Sequence, residues 1–247
     1  MTIPRRDFLR ASATIAAGLA AAPLLDACKF ESRRELADQG FLRVRDDYFR
    51  WQMQLNPVTS TYLGGDGWDP SLAAYNGKLR DYSPAALEHE SKAQRDLERA
   101  LTSIDASLLS PQRRVDHAVM GAQLSFLRFQ SDRRYHQRAV DTYVAEPFRG
   151  VDWQIQQMQS FPGGKLGTEA EWRLVVTRVS AIPPYLNVAR ANLEVGKKDG
   201  NMPDRRMVQR DGIAGSRANA AYFRTTLPAM AKLYLGDQSY AGSMTSG

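Results

Sequence analysis

Val115-Asp116-His117-Ala118-Val119-Met120-Gly121-Ala122-Gln123-Leu124-Ser125-Phe126-Leu127-Arg128-Phe129 decides the fold class. Val115, Val119, Ala122, Phe126 and Phe129 follow one another at 4-3-4-3 spacing, which lines one side of an α-helix and cannot line one side of a strand. Ser110-Pro111 just before it supplies an N-cap and a proline at the first helical position. The reading is a helix with this stripe turned into a core.

The same devices recur on both sides. Ser83-Pro84 opens a helix with Leu87, Leu97, Leu101 and Ile104 as its apolar stripe. Residues 31–55 place Leu36, Phe41, Val44, Tyr48, Trp51 and Leu55 near one face, and Asn56-Pro57 stops the run. A short helical turn follows to Gly64. Residues 64–82 read as a loop pinned by Trp68, Tyr75 and Tyr82. Residues 134–147 fit neither period clearly. Phe148, Val151, Ile155, Met158 and Phe161 form a short amphipathic helix ending at Pro162-Gly163-Gly164. Thr168-Glu169-Ala170-Glu171 is a capping box. The helix it opens carries Val175, Val179, Ile182, Leu186, Ala189 and Leu193, is kinked or divided at Pro183-Pro184, and is closed by Gly196. A last helix covers 216–235, with Pro228 as a break. No alternating segment survives as a strand. The expectation is an all-α bundle of six to eight helices.

Composition removes several functions. Of 247 residues, 43% are hydrophobic and 24% charged, which excludes bulk disorder. One cysteine excludes a disulfide framework. The net charge of +6 comes from interspersed charges and gives no case for nucleic acid. His89, His117 and His136 are the only histidines, and no two lie three or four apart, so no helical face offers paired imidazole ligands. Glu88-His89-Glu90 reads as a solvated face, Asp116-His117 as a half-buried one, and Arg133 to Arg138 as a basic surface patch. Gly163 to Thr168 is Gly-rich before a helix start but lacks the spacing of a phosphate loop. No G-x-S-x-G elbow occurs. The residues alone present no catalytic or metal-binding constellation.

Residues 1–28 read as an address, leaving 29–247 as one helical domain. Arg5-Arg6 precedes the uncharged run Ala11–Leu25, whose 15 residues are short of the roughly 20 that span a membrane. This pattern looks like a twin-arginine export signal. Leu25-Asp26-Ala27-Cys28 resembles a lipobox, with Asp26 as a departure. Cys28 is then either the lipidated N-terminus of the mature chain or a free thiol beside an ordinary cleavage site. The expected partner during export is the twin-arginine translocase. The expected location is the periplasm, with anchoring in a membrane through Cys28.

Three markers resemble one family. They are Asn56 to Gly64, Asp81-Tyr82-Ser83-Pro84, and the helix with Ala181-Ile182-Pro183-Pro184-Tyr185-Leu186 and Ala189-Arg190-Ala191-Asn192-Leu193. Their order and spacing are similar to those of the DUF885 proteins, bacterial and often exported as lipoproteins. The resemblance implies a helical fold of the gluzincin kind and a zinc-dependent, peptidase-like hydrolase acting on small peptides or amino-acid conjugates. It also implies a zinc motif, H-E-x-x-P-G-H plus a distant glutamate, in the second half of the fold. That motif does not occur here, so no catalytic or metal residue carries over and no cofactor is expected in this chain, zinc being expected in a full-length member. Two readings follow: the N-terminal part of such an enzyme, inactive alone and with apolar surface where its C-terminal half docks, or a noncatalytic helical binding module.

Overall fold

A computed structural model describes residues 33–161 and 165–235. They form an all-α, multi-helix fold. Arg5, Arg6 and Cys28 lie outside the described residues, as do 162–164 of the Gly-rich loop. The helices are α1 (33–55), α2 (Pro57–Tyr62), α3 (Gly65–Trp68), α4 (Pro84–Thr102), α5 (Pro111–Asp132), α6 (Val140–Gln157), α7 (Glu169–Ser180) and α8 (Ile182–Lys198). Helical backbone then runs from Arg205 to Leu235 as α9 (Arg205–Met207), α10 (Gly215–Ala221) and α11 (Leu227–Leu235), joined by π-helical turns. The second of these turns, Tyr222–Thr226, directly precedes Leu227-Pro228 and absorbs the missing proline N–H without breaking the helix.

Several expectations hold. Thr168 and Glu171 close both halves of the capping box, the Glu171 carboxylate accepting from Thr168 N–H at 2.7 Å. Pro183-Pro184 does divide its helix, because α7 ends at Ser180 and α8 starts at Ile182. Others need correction. The presumed 64–82 loop contains α3 and a 3₁₀ segment, Pro70–Tyr75, and Trp68 is exposed under the Arg50 guanidinium and pins nothing. The ambiguous segment begins α6, which runs through Pro147. Ser160–Phe161 and Lys165–Leu166 pair as a two-stranded ribbon of two residues each. In α8 the buried face is Tyr185, Ala189, Asn192 and Gly196, while Leu186 is exposed.

The described chain divides into two compact units. In the first, 33–46 with 96–124, Phe41, Leu97, Leu101, Leu109, Met120 and Leu124 are buried, and the His117 ring lies 5.9 Å from Phe41. The second, 47–95 with 125–235, has an apolar cluster of Val151, Ile155, Met158, Trp172, Val175, Leu227 and Ala231. Beside it lies an aromatic cluster built on Tyr82, Tyr143 and Tyr185.

The main correction concerns α5. Val115, Val119, Phe126 and Phe129 are between 55% and 58% exposed. The buried side carries Met120 and Leu124, flanked by the half-buried His117 and Leu127. His117, Met120, Leu124 and Leu127 keep the same helical period but begin two residues later, about 200° around the helix. Two apolar seams therefore occupy opposite sides of α5, and the more regular one faces outward.

Gly196 does not end α8, which continues to Lys198; Gly200, at φ 72°, takes the left-handed position after it. Gly196 is needed for close approach, since a Cβ there would lie 2.1 Å from the Gln137 carbonyl oxygen. Gly196→Ala is expected to destabilise the fold by about 2–3 kcal/mol, read from the urea midpoint. A midpoint unchanged from wild type would show that α8 does not pack there.

Candidate functional site

Three charged residues, Arg80, Glu146 and Arg178, come together in the second unit. Arg178, on α7, is 1% exposed. Its guanidinium donates to the Gly150 carbonyl and to Gln154 Oε1 (2.8 Å) on α6, to Thr61 Oγ1 (3.0 Å) on α2, and to the Lys78 carbonyl (3.2 Å). No carboxylate is among these acceptors, and burial holds the group down to about 10. Glu146, on α6, accepts from the Arg80 backbone N–H at 2.7 Å and from the Tyr185 hydroxyl at 3.4 Å. Burial raises its carboxyl above the usual range, against the pull of Arg80 and Arg178.

Arg80 is the hub. Its Nη2 reaches both carboxylate oxygens of Glu90 at 2.9 Å, a bidentate pair with each side chain 17% exposed. Its Nη1 donates to Asn56 Oδ1 at 3.0 Å, and its guanidinium lies 4.7 Å from the Tyr82 ring centre. Arg80 Nε is buried without a hydrogen-bond partner. Glu90, read from sequence as part of a solvated face, is thus half of the best-formed ion pair in this region.

Behind this wall stand Tyr82, Tyr143 and Tyr185, edge to face with ring centres 4.9–6.2 Å apart. Asn192 donates to both the Tyr82 carbonyl and the Tyr143 hydroxyl at 3.0 Å, and the Tyr143 hydroxyl donates to the His136 carbonyl at 2.6 Å.

Two cavities open on this assembly. The larger, about 380 Å³, lies among Glu88, Glu90, Ser91, Gln130, Tyr135 and His136. The smaller, about 190 Å³, lies among Asn56, Thr59, Glu146, Arg149 and Trp153. Arg80, Tyr82 and Thr142 border both. The volume and mixed lining of the larger suit a small ligand. Its His136 ring is held below the ordinary range by burial and by Arg134. His89 is exposed on α4, and His117 lies in the other unit with Nε2 3.2 Å from the Leu101 carbonyl. Among the described residues no group of three His, Cys, Asp or Glu side chains is placed to hold a metal, so these residues do not fit a zinc centre. What they can do is hold and orient a polar ligand. Sequence reading missed Arg80, Glu146 and Arg178; for Glu146 and Arg178 the available signal was a single charge inside a mostly apolar run, as in Val144-Ala145-Glu146-Pro147-Phe148, whereas Arg80, between Lys78 and Asp81, gave none.

The sequence pattern of a bacterial family of proteins of unknown function, DUF885, matches residues 57–242. The chain belongs to that family. No curated protein and no solved structure matches it.

Burial raises the hydroxyls of Tyr82, Tyr143 and Tyr185, that of Tyr143 to about 12, against an ordinary 10.0. Each stays protonated in the folded chain where the unfolded chain would lose its proton. Their contribution to stability is whole below about pH 10 and is lost as pH rises through the folded values. Arg178 works the other way, since its loss of a proton above about 10 relieves the folded state, but three groups outweigh one. An alkaline titration followed at 295 nm and by far-ultraviolet dichroism should show a late tyrosine fraction that ionises only as helix is lost. Reversible ionisation of every tyrosine near pH 10 with helix intact would contradict this packing.

Proposed function

We propose that this member of DUF885 is the helical, substrate-holding part of an exported peptidase-like hydrolase acting on small peptides or amino-acid conjugates. The observation that carries the reading is the pair of cavities on one fixed polar wall, Arg80–Glu90 with Glu146 beneath. Such a wall orients a ligand through groups already held by the protein, so little ordering is required on binding. Bond cleavage itself would fall to residues outside this set, since the described residues do not fit a zinc centre. In support, the outward seam of α5 is an apolar face of the kind expected where further helices of the same fold pack. It counts against the second reading, a self-sufficient binding module, which expects little apolar surface.

Export by the twin-arginine route through Arg5-Arg6, and anchoring in the periplasm through a lipidated Cys28, complete the proposal. No described helix is long and apolar enough to cross a membrane.

Purified chain incubated with fluorogenic di- and tripeptides should release no product. Turnover that survives further purification and is lost in Glu146→Gln would overturn the division of labour proposed here. Cys28→Ala should move the protein from the membrane fraction to the soluble periplasmic fraction. If wild type is already soluble and unlipidated by intact mass, the anchor is removed from the proposal.

A further inference from the structure

The charges bordering the two cavities are distributed unevenly. The shared wall is neutral within itself, because Arg80 is matched by Glu90. Behind it, Glu146 faces both the Arg80 N–H and the positive field of Arg178. Two charged groups are left over. Glu88, exposed on α4 at the rim of the larger cavity, has no ion pair or hydrogen bond among the described residues. Arg149, exposed on α6 at the rim of the smaller one, has no carboxylate partner among them; its guanidinium lies 5.8 Å from the Trp153 ring centre. The larger cavity is thus lined by an unpaired negative charge and the smaller by a positive charge without a carboxylate partner among the described residues, with Arg80, Tyr82 and Thr142 common to both.

We infer that the two cavities are one binding site for a small zwitterion, its amine directed to Glu88 and its carboxylate to Arg149. A singly charged ligand would satisfy one end and leave the other charge unmatched. A short peptide with both termini free satisfies both, and three extended residues reach about 10 Å from end to end. That the zwitterion is a peptide rests on the proposed function; the two poles rest on the charges alone. Because the cavity already fixes Arg80 and the tyrosines, Glu88 and Arg149 are the residues that choose between free and blocked termini.

The test is a titration of the full chain, followed by nitrogen–proton chemical shifts, with trialanine, N-acetyl-trialanine, trialanine amide and 6-aminohexanoate. Each blocked peptide is expected to bind about three- to fivefold more weakly than trialanine, the effect of one part-exposed ion pair. In Arg149→Gln the amide should lose its disadvantage while the acetyl compound keeps it, and Glu88→Gln should give the converse. Both side chains are exposed, so both variants should keep the wild-type spectrum of helix. Equal binding of trialanine and its blocked forms, no saturable binding of trialanine, or variants that abolish both penalties together would overturn the inference. If 6-aminohexanoate binds as trialanine does, with the same response to the two variants, the poles stand and the peptide substrate class falls. If trialanine binds well and shows no end preference, the peptide reading stands and the poles fall.

Discussion

The second unit is organised around the guanidinium of Arg178. A charge buried to 1% exposure is tolerated only when its donors are taken up, and four acceptors from α2, α6 and the segment before Tyr82 do so. Each acceptor is a neutral carbonyl, amide or hydroxyl oxygen, so their dipoles must be held in place by the fold. Gly150 shows how tightly: a Cβ there would meet Arg178 Cδ at 2.7 Å and Val58 at 3.1 Å. The absence of a side chain at 150 lets α6 approach α7 closely enough for the guanidinium to reach the carbonyl. Losing the arginine would leave those acceptors buried and unpaired, at a cost of about 3–5 kcal/mol.

The cavity wall follows from this constraint. Arg178 takes the Lys78 carbonyl, which fixes the chain just before Arg80. The Arg80 backbone N–H then reaches Glu146, and its side chain turns to Glu90 and Asn56. Tyr82, two residues on, enters the aromatic cluster in which Asn192 ties α8 to the same strip of backbone. One short segment, 78–82, thereby carries the backbone acceptor, the hub arginine and the aromatic anchor. The wall is held in place because its polar groups are partnered from several helices.

Much of the fold was legible because its signals are local. The Thr168–Glu171 box, the Ser-Pro helix starts and the Pro183-Pro184 division all act through neighbouring backbone, and all are present. The parts that were not legible depend on contacts distant in sequence. Residues 134–147 fit neither period clearly, yet α6 starts at Val140 and runs through Pro147, which is itself buried. Arg80, Glu146 and Arg178 gave no motif because their partners lie up to 117 residues away, as in the Arg178–Thr61 bond. The exposed position of Leu186 has the same origin: the face of α8 is chosen by Tyr185 and Asn192, which complete the tyrosine cluster, over a stripe of aliphatic residues.

The helix that gives the fold class most clearly also shows what periodicity leaves undecided. A repeat near 3.5 says that a face of α5 is apolar; it does not say which face the rest of the chain covers. On α5 two such faces exist, and the first unit uses the one with Met120, Leu124 and His117, where Phe41 meets the imidazole. A helix apolar on opposite sides is the form taken by a helix that lies between two layers. The outward seam of Val115, Val119, Ala122, Phe126 and Phe129 is the exposed one of the two. Its regular 4-3-4-3 spacing suits another helix laid along it, knob into hole, over about 20 Å. Periodicity establishes that both seams are helical and apolar; contacts from elsewhere in the chain decide that Met120 and Leu124, and not Val119 and Phe126, lie on the covered side.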